Sequence, residues 1–145
     1  MTDLLKFILH GEGLKLKAYK CPAGVWTIGM GSTYYVGGKP VKEGDTITES
    51  EAETLASVQL EGFANHVKNS VTAMLSDNQW IALTSFCYNI GKAGFSKSQI
   101  LKMVNANPND PAIKARFLIS FITAAGLPCK GLVNRRQSEA TQYFK

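Results

Sequence analysis

A chain of 145 residues, 45% apolar and 19% charged, can bury a core and is far from the composition of a disordered polymer. Its formal charge of +5 suits an anionic partner such as bacterial wall polymer, nucleic acid or an anionic membrane. The cations are scattered, Lys15-Lys17-Lys20 and Arg135-Arg136 being the tightest groups, and no basic run is interleaved with aromatics, so nucleic acid gains no local support.

The N-terminus carries an early Asp3 and a short apolar patch that ends at His10. It lacks the basic start and cleavage site of a secretory signal, and the expectation is a chain that does not export itself. Thr2 or Asp3 can cap a first helix whose Leu4, Leu5, Ile8 and Leu9 share one face, with Gly11 as its stop. From Leu14 the period becomes two. Leu14, Leu16 and Ala18 alternate with Lys15, Lys17 and Tyr19, which predicts a half-buried strand. Pro22-Ala23-Gly24 supplies a turn, Val25 to Ile28 a returning strand, and Tyr34 to Val36 a third short one.

Thr48-Glu49-Ser50-Glu51 is a capping box that opens a helix with Ala52, Leu55, Ala56, Gln59, Phe63 and Val67 near one stripe, long enough to connect two lobes. A second box, Ser76-Asp77-Asn78-Gln79, opens a helix from Trp80 to about Ile90. That run is apolar nearly all round, reads as the buried centre of a helical lobe, and is too short to cross a bilayer. Gly91 and Gly94 break it. Ser96 is read as the start of the next helix, through Ile100, Leu101 and Val104. Asp110-Pro111 opens another that carries Ile113, Phe117, Leu118, Phe121 and Ile122. A last helix follows Gly131, with Val133, Arg136, Ala140 and Tyr143 along it. The sum is an α+β fold, with a small sheet lobe (about residues 14–47) and a helical lobe (about residues 68–145 plus the first helix), and a cleft expected between them in a single domain over 1–145.

The three cysteines, Cys21, Cys87 and Cys129, have neither metal-ligand nor paired redox spacing, and their odd number predicts free thiols in a reducing compartment. Cys87 reads as a small buried hydrophobe and Cys129 as a loop residue. Gly24 and Gly29-Met30-Gly31 fail as a phosphate loop, because no Lys follows, and as a dinucleotide fingerprint, because position 34 is Tyr. No set of ligands for a metal or cofactor is visible.

What stands out is Glu12 between two glycines, at the end of the first helix and ahead of the hairpin that bears Cys21 and Thr27. A carboxylic acid facing a possible base or nucleophile is what acid/base chemistry in a cleft requires. Glu12, eight residues, Cys21, five residues, Thr27 and the following TIGMG resemble the phage-type lysozymes, or endolysins, whose pattern is Glu, eight residues, Asp or Cys, five residues, Thr. YNIGKAGFSKSQIL and GLVNRRQSE extend the resemblance through much of the chain.

The resemblance implies a bilobal lysozyme-like fold and a muramidase that cuts the β-1,4 bond between N-acetylmuramic acid and N-acetylglucosamine. Glu12 would be the general acid, Cys21 would stand in the position of the usual Asp, and Thr27 would hold the water. Thr33, Tyr88, Asn89 and Ser98 would line the glycan groove, Asn89 bonding an acetamido group and Tyr88 packing on a sugar face. Of the paired arginines, Arg136 would support the site by pairing with Glu12 or bracing the cleft, while the plainer reading of the pair is an exposed ion pair with Glu139. Lys17 and Lys20 are near enough in sequence to favour a Cys21 thiolate. Family members often have His where this chain has Ser32, and neither His10 nor His66 replaces it; His66 is expected to face water. The family implies no metal or cofactor, a monomer that accumulates in the host cytoplasm, and a separate holin-type membrane-permeabilising protein that releases it to the wall. Two rival readings are a non-catalytic wall-glycan binding module on the same fold, prompted by Cys21 and Ser32, and a nucleic-acid binder, prompted by charge alone.

Overall fold

The structure, a computed structural model, describes residues 2–9 and 14–145; the expected helix stop at Gly11, together with His10 and Glu12, lies outside them. The described residues form seven helices and two short antiparallel hairpins, an α+β fold, and the chain divides into two compact units, Met1–Gly62 and Phe63–Lys145.

In the first unit, helix α1 (Asp3–Leu9) buries Leu5 and Ile8 and is capped by Thr2, whose hydroxyl accepts the Leu5 amide at 3.2 Å. Strands β1 (Lys15–Lys20) and β2 (Trp26–Gly29) pair antiparallel with an irregularity between Lys15 and Tyr19. The alternation in β1 is a poorer guide than its pattern suggests: Ala18 alone is buried, and Leu16 is 40% exposed. Residues 34–36 do not form the third strand. Tyr34 makes one bridge, to Pro40, which has no N–H with which to extend a ladder. The neighbour of β1 on its other side is instead residues 45–47, where the Ala18 amide donates to the Asp45 carbonyl and the Ile47 amide to that of Leu16, both at 2.9 Å. Ala18, Ile28, Val41 and Leu55 form the small core, with Trp26, Tyr35 and Ile47 packed against it.

The glycines after β2 serve the backbone. Ile28 and Ser32 exchange amide–carbonyl bonds at 2.9 and 3.0 Å, and the tight loop between them needs left-handed φ at Gly29 (+67°) and Gly31 (+113°).

Helix α2 (Glu49–Ser70) starts in the predicted capping box, with the Glu51 amide donating to the Thr48 hydroxyl at 3.1 Å and the Thr48 amide to the Glu51 carboxylate at 3.2 Å. In the second unit α3 (Asp77–Ile90) starts in the Ser76–Gln79 box, and Gly91 at φ 90° ends it. Helix α4 (Lys92–Ser96) is a single short turn. Thus Ser98, rather than Ser96, starts α5 (Gln99–Ala106): its backbone is extended and its hydroxyl accepts the Leu101 amide at 3.1 Å.

Helix α6 (Ala112–Ile119) stops short of Phe121 and Ile122, because Phe121 adopts φ 53°. A two-residue hairpin follows, β3 (Thr123–Ala124) and β4 (Leu127–Pro128), turning through positive φ at Ala125 and Gly126. Helix α7 (Lys130–Tyr143) begins directly after Cys129, a loop residue whose extended backbone forms the N-cap without a side-chain hydrogen bond.

The core of this unit joins Val67, Leu83, Phe86, Phe95, Ile100, Val104, Ile113, Phe117 and Tyr143. Phe86 lies at its centre, edge-on to Phe95, Phe117 and Phe121. Each such side chain contributes about 1.5–3 kcal/mol by leaving water.

Candidate active site

Cys21 follows β1 at the start of a turn closed by two bonds, Gly24 amide to Cys21 carbonyl at 2.8 Å and Cys21 amide to Val25 carbonyl at 3.0 Å. The tightness of the turn brings the backbone N–H groups of Val25 and Ala23 toward its sulfur. These amides, ahead of a side-chain bond from Thr27, hold the thiol below its ordinary value despite some desolvation. Lys17 and Lys20 are not the cause; Lys20 instead places its ammonium 5.5 Å from the Trp26 ring centroid. Cys87, buried in α3, is pushed the other way, to about 11, so it is inert. All three cysteines are free thiols.

Thr27 is 4% exposed on β2, and its hydroxyl donates to the Val25 carbonyl at 3.0 Å. A hydroxyl has one proton. Spent on Val25, it leaves Oγ1 as an acceptor for the thiol; turned to the sulfur, it stabilises the thiolate. Thr27 is thereby coupled to the ionisation of Cys21. Thr27→Val is expected to move the Cys21 titration upward, read from the pH dependence of alkylation in a Cys129→Ser background; an unmoved titration would remove Thr27 from this role. Since the folded thiol ionises below its unfolded value, its stabilising contribution is present above the unfolded pKa and fades as pH falls through the folded one.

Ser32, in the place where His is frequent, is 8% exposed and donates to Gln59 Oε1 at 2.9 Å. A neutral side-chain bond to α2 thus holds the loop that carries Thr33, which is half-buried and borders a cavity of about 300 Å³ with Tyr34, Tyr35, Val58 and Gln59.

In the second unit, Tyr88 and Asn89 end α3. Tyr88 is half-buried, edge-on to Phe63 at 5.4 Å, with the Arg135 guanidinium 5.8 Å from its ring centroid. Asn89 is exposed, and Arg136 donates to its Oδ1. Ser98 is 4% exposed and committed to the cap of α5, donating to the Phe95 carbonyl at 2.7 Å as well. His66 does not simply face water: its Nε2 is 2.7 Å from the Ser96 hydroxyl, and its ring packs against Phe95.

Arg136 and Glu139 are fully buried, which overturns the exposed ion pair. Arg136 Nη1 is 3.0 Å from Glu139 Oε1, and its guanidinium lies 4.9 Å from the Phe86 ring centroid. The other carboxylate oxygen accepts the Ser85 hydroxyl at 2.6 Å and faces Arg135 Nε at 3.4 Å, while Arg135 Nη2 donates back to Ser85 Oγ at 3.1 Å. Burial pushes the Glu139 carboxyl up and the Arg136 guanidinium down, and the opposite charges counter both. The clue in the sequence was the placement of Arg136 in the α7 stripe with Val133, Ala140 and Tyr143.

Among the described residues no group of three or more His, Cys, Asp or Glu is placed to hold a metal ion, and no helix is long and apolar enough to cross a membrane. Residues 10–139 match the family model of phage lysozymes, a span that includes Glu12. The endolysin of Acyrthosiphon pisum secondary endosymbiont phage 1 is 33% identical over 138 residues, covering 93% of this chain and 90% of the relative. Among solved structures, an endolysin from Escherichia coli O157:H7 phage FAHEc1 superposes with a TM-score of 0.88 at 34% identity, covering all of this chain and 92% of that one. A mutant lysozyme of phage P22 also gives 0.88, at 31% identity, over all of this chain and 97% of the other.

Proposed function

This chain belongs to the phage lysozyme family, and we propose from that premise that it is an endolysin hydrolysing the β-1,4 bond between N-acetylmuramic acid and N-acetylglucosamine in peptidoglycan. The observation that carries the reading is the Cys21 thiol, held below its ordinary value by the amides of its turn, with Thr27 on the returning strand, within a span that matches the family. Glu12 gives its proton to the glycosidic oxygen as the bond to the anomeric carbon breaks. A water held by Thr27 attacks that carbon and passes a proton to the Cys21 thiolate, which takes the part of the usual carboxylate. The lowered thiol pKa supports this use of sulfur, because more of it is ionised near neutral pH.

Thr33, Tyr88 and Asn89 bind the glycan, and Arg136 supports Asn89 by donating to its Oδ1. Peptidoglycan is the partner and nucleic acid is not. The enzyme works as a monomer without metal or cofactor, accumulates in the host cytoplasm, and reaches the wall through a separate holin-type protein. The rival reading, a wall-glycan binding module without turnover, is separated by one assay. Wild type in reductant is expected to clear purified peptidoglycan with release of reducing ends. Cys21→Asp should retain turnover, and Cys21→Ser should lose about 10²-fold or more as the base disappears. Binding with no reducing ends released by the wild type would favour the module.

A further inference from the structure

The net charge of +5 is not spread over the molecule. Residues 111–138 hold five cations and no acid, while the remaining 117 residues hold 11 of each sign. Within that segment Arg135 and Arg136 turn inward to Glu139. Lys114, Arg116 and Lys130 are exposed and, among the described residues, make no ion pair. The thirteen residues between Arg116 and Lys130 carry no charged side chain at all. Their apolar members nevertheless face water: Ile119 is 63% exposed, Leu127 70%, Phe121 48% and Leu118 36%. The last turn of α6 leads into the β3–β4 hairpin, and all six residues from Thr123 to Pro128 are exposed. The hairpin pairs its own strands, Thr123 with Pro128 and Ala124 with Leu127, so part of its backbone polarity is satisfied before it meets any partner.

We propose that this face, the end of α6 with the β3–β4 hairpin, docks on an anionic lipid bilayer. Ile119, Phe121 and Leu127 enter the headgroup region, while Lys114, Arg116 and Lys130 meet the lipid phosphates on their flexible stems. An anionic bilayer offers both things the face lacks, an apolar layer and a negative surface. A wall polymer would neutralise the cations and leave Ile119 and Leu127 in water. A second copy would cover the apolar residues, but it would bring together two cationic faces that hold no acid. The contact is made at the membrane surface, since no described helix is long and apolar enough to cross it. None of these six side chains is among those assigned to glycan binding or bond cleavage. On the endolysin reading above, an enzyme so held waits at the membrane it must pass.

Flotation of the full chain with vesicles measures the binding, with phosphatidylglycerol and phosphatidylethanolamine as the anionic surface and phosphatidylcholine as the neutral one. Wild type is expected to bind the anionic vesicles at least about tenfold more tightly, and to lose most of that advantage at high salt. Ile119→Ser with Leu127→Ser removes apolar area without touching charge and should weaken binding about tenfold. Lys114→Gln, Arg116→Gln and Lys130→Gln together should weaken it about 10²-fold. Lys6→Gln, Lys39→Gln and Lys42→Gln together remove the same charge from exposed positions of the first unit and should weaken it far less. Every substituted side chain is exposed, and thermal unfolding checks that each variant is folded. Equal binding to both vesicles, binding to neither, or equal losses in the two triple variants would overturn the proposal. So would wild-type binding by the Ile119→Ser, Leu127→Ser variant, which would give the cations to an anionic polymer. Wild-type dimers that this double variant loses, with vesicle binding unchanged, would assign the apolar residues to a second copy and likewise overturn it. Reducing-end release from lipid-free peptidoglycan should be unchanged by the patch substitutions; a loss as large as that of vesicle binding would make the face part of the glycan site and sink the proposal.

Discussion

Glu12→Gln is expected to lower the rate of reducing-end release by about 10²–10⁴-fold, the usual range for losing a positioned general acid. The substitution keeps size and hydrogen-bonding capacity and removes only the proton that the leaving oxygen requires. The loss should therefore fall on kcat, with glycan binding retained. Among the described residues the other carboxylates that make specific contacts are committed elsewhere. Asp45 accepts from the Tyr35 hydroxyl at 2.8 Å and the Lys42 amide at 2.9 Å, Glu51 closes the capping box of α2, Asp110 accepts the Ala112 amide at 2.9 Å, and Glu139 is buried between arginines. Burial and Asp45 together push Tyr35 up to about 12, so that pair is structural. A Glu12→Gln variant within about threefold of wild type would move the acid role to another group and sink the assignment.

Glu139→Ala is expected to cost about 3–5 kcal/mol in stability, because a buried arginine loses its counter-charge where water cannot replace it. For a chain of this size that is a fall in melting temperature of about 10 °C or more. Glu139→Gln should lie close to it, since Gln keeps a partner for Ser85 but no charge. The physical cause is the loneliness of Arg136, not the strength of the ion pair, and this has a consequence. Replacing both partners by apolar residues of similar volume, Arg136→Met with Glu139→Leu, should regain most of the loss. It should not regain glycan affinity, since Asn89 is then unheld. Thermal unfolding of the single and double variants checks both statements. Additive losses in the double variant would contradict them.

Local signals in this chain were legible. Both capping boxes stand where Thr48–Glu51 and Ser76–Gln79 place them, because each is satisfied within four residues. The hairpin of Cys21 and Thr27 was legible for the same reason, its turn being set by Pro22-Ala23-Gly24. Where the deciding partner was distant, the pattern misled. Residues 34–36 had strand-like composition, but the amides of β1 and its neighbour are satisfied between residues 16–18 and 45–47, a pairing that composition does not encode. The α6 periodicity ran on through Phe121 because nothing in an apolar run announces a left-handed residue. Arg136 and Glu139 looked like surface charges at helical spacing, and only the packing of α7 on α3 encloses them. Cys21 and Thr27 are singled out by their spacing, whereas the amides around Cys21 and the hold of Arg136 on Asn89 depend on geometry.

A muramidase breaks the glycosidic bond on the muramic acid side, and the chemistry of the new chain end shows which bond was cut. Purified peptidoglycan digested in reductant and then treated with borohydride should yield muramitol, with no rise in free amino groups. New amino groups without muramitol would mean a cut in the peptide, and glucosaminitol would mean the other glycosidic bond; either result contradicts the account.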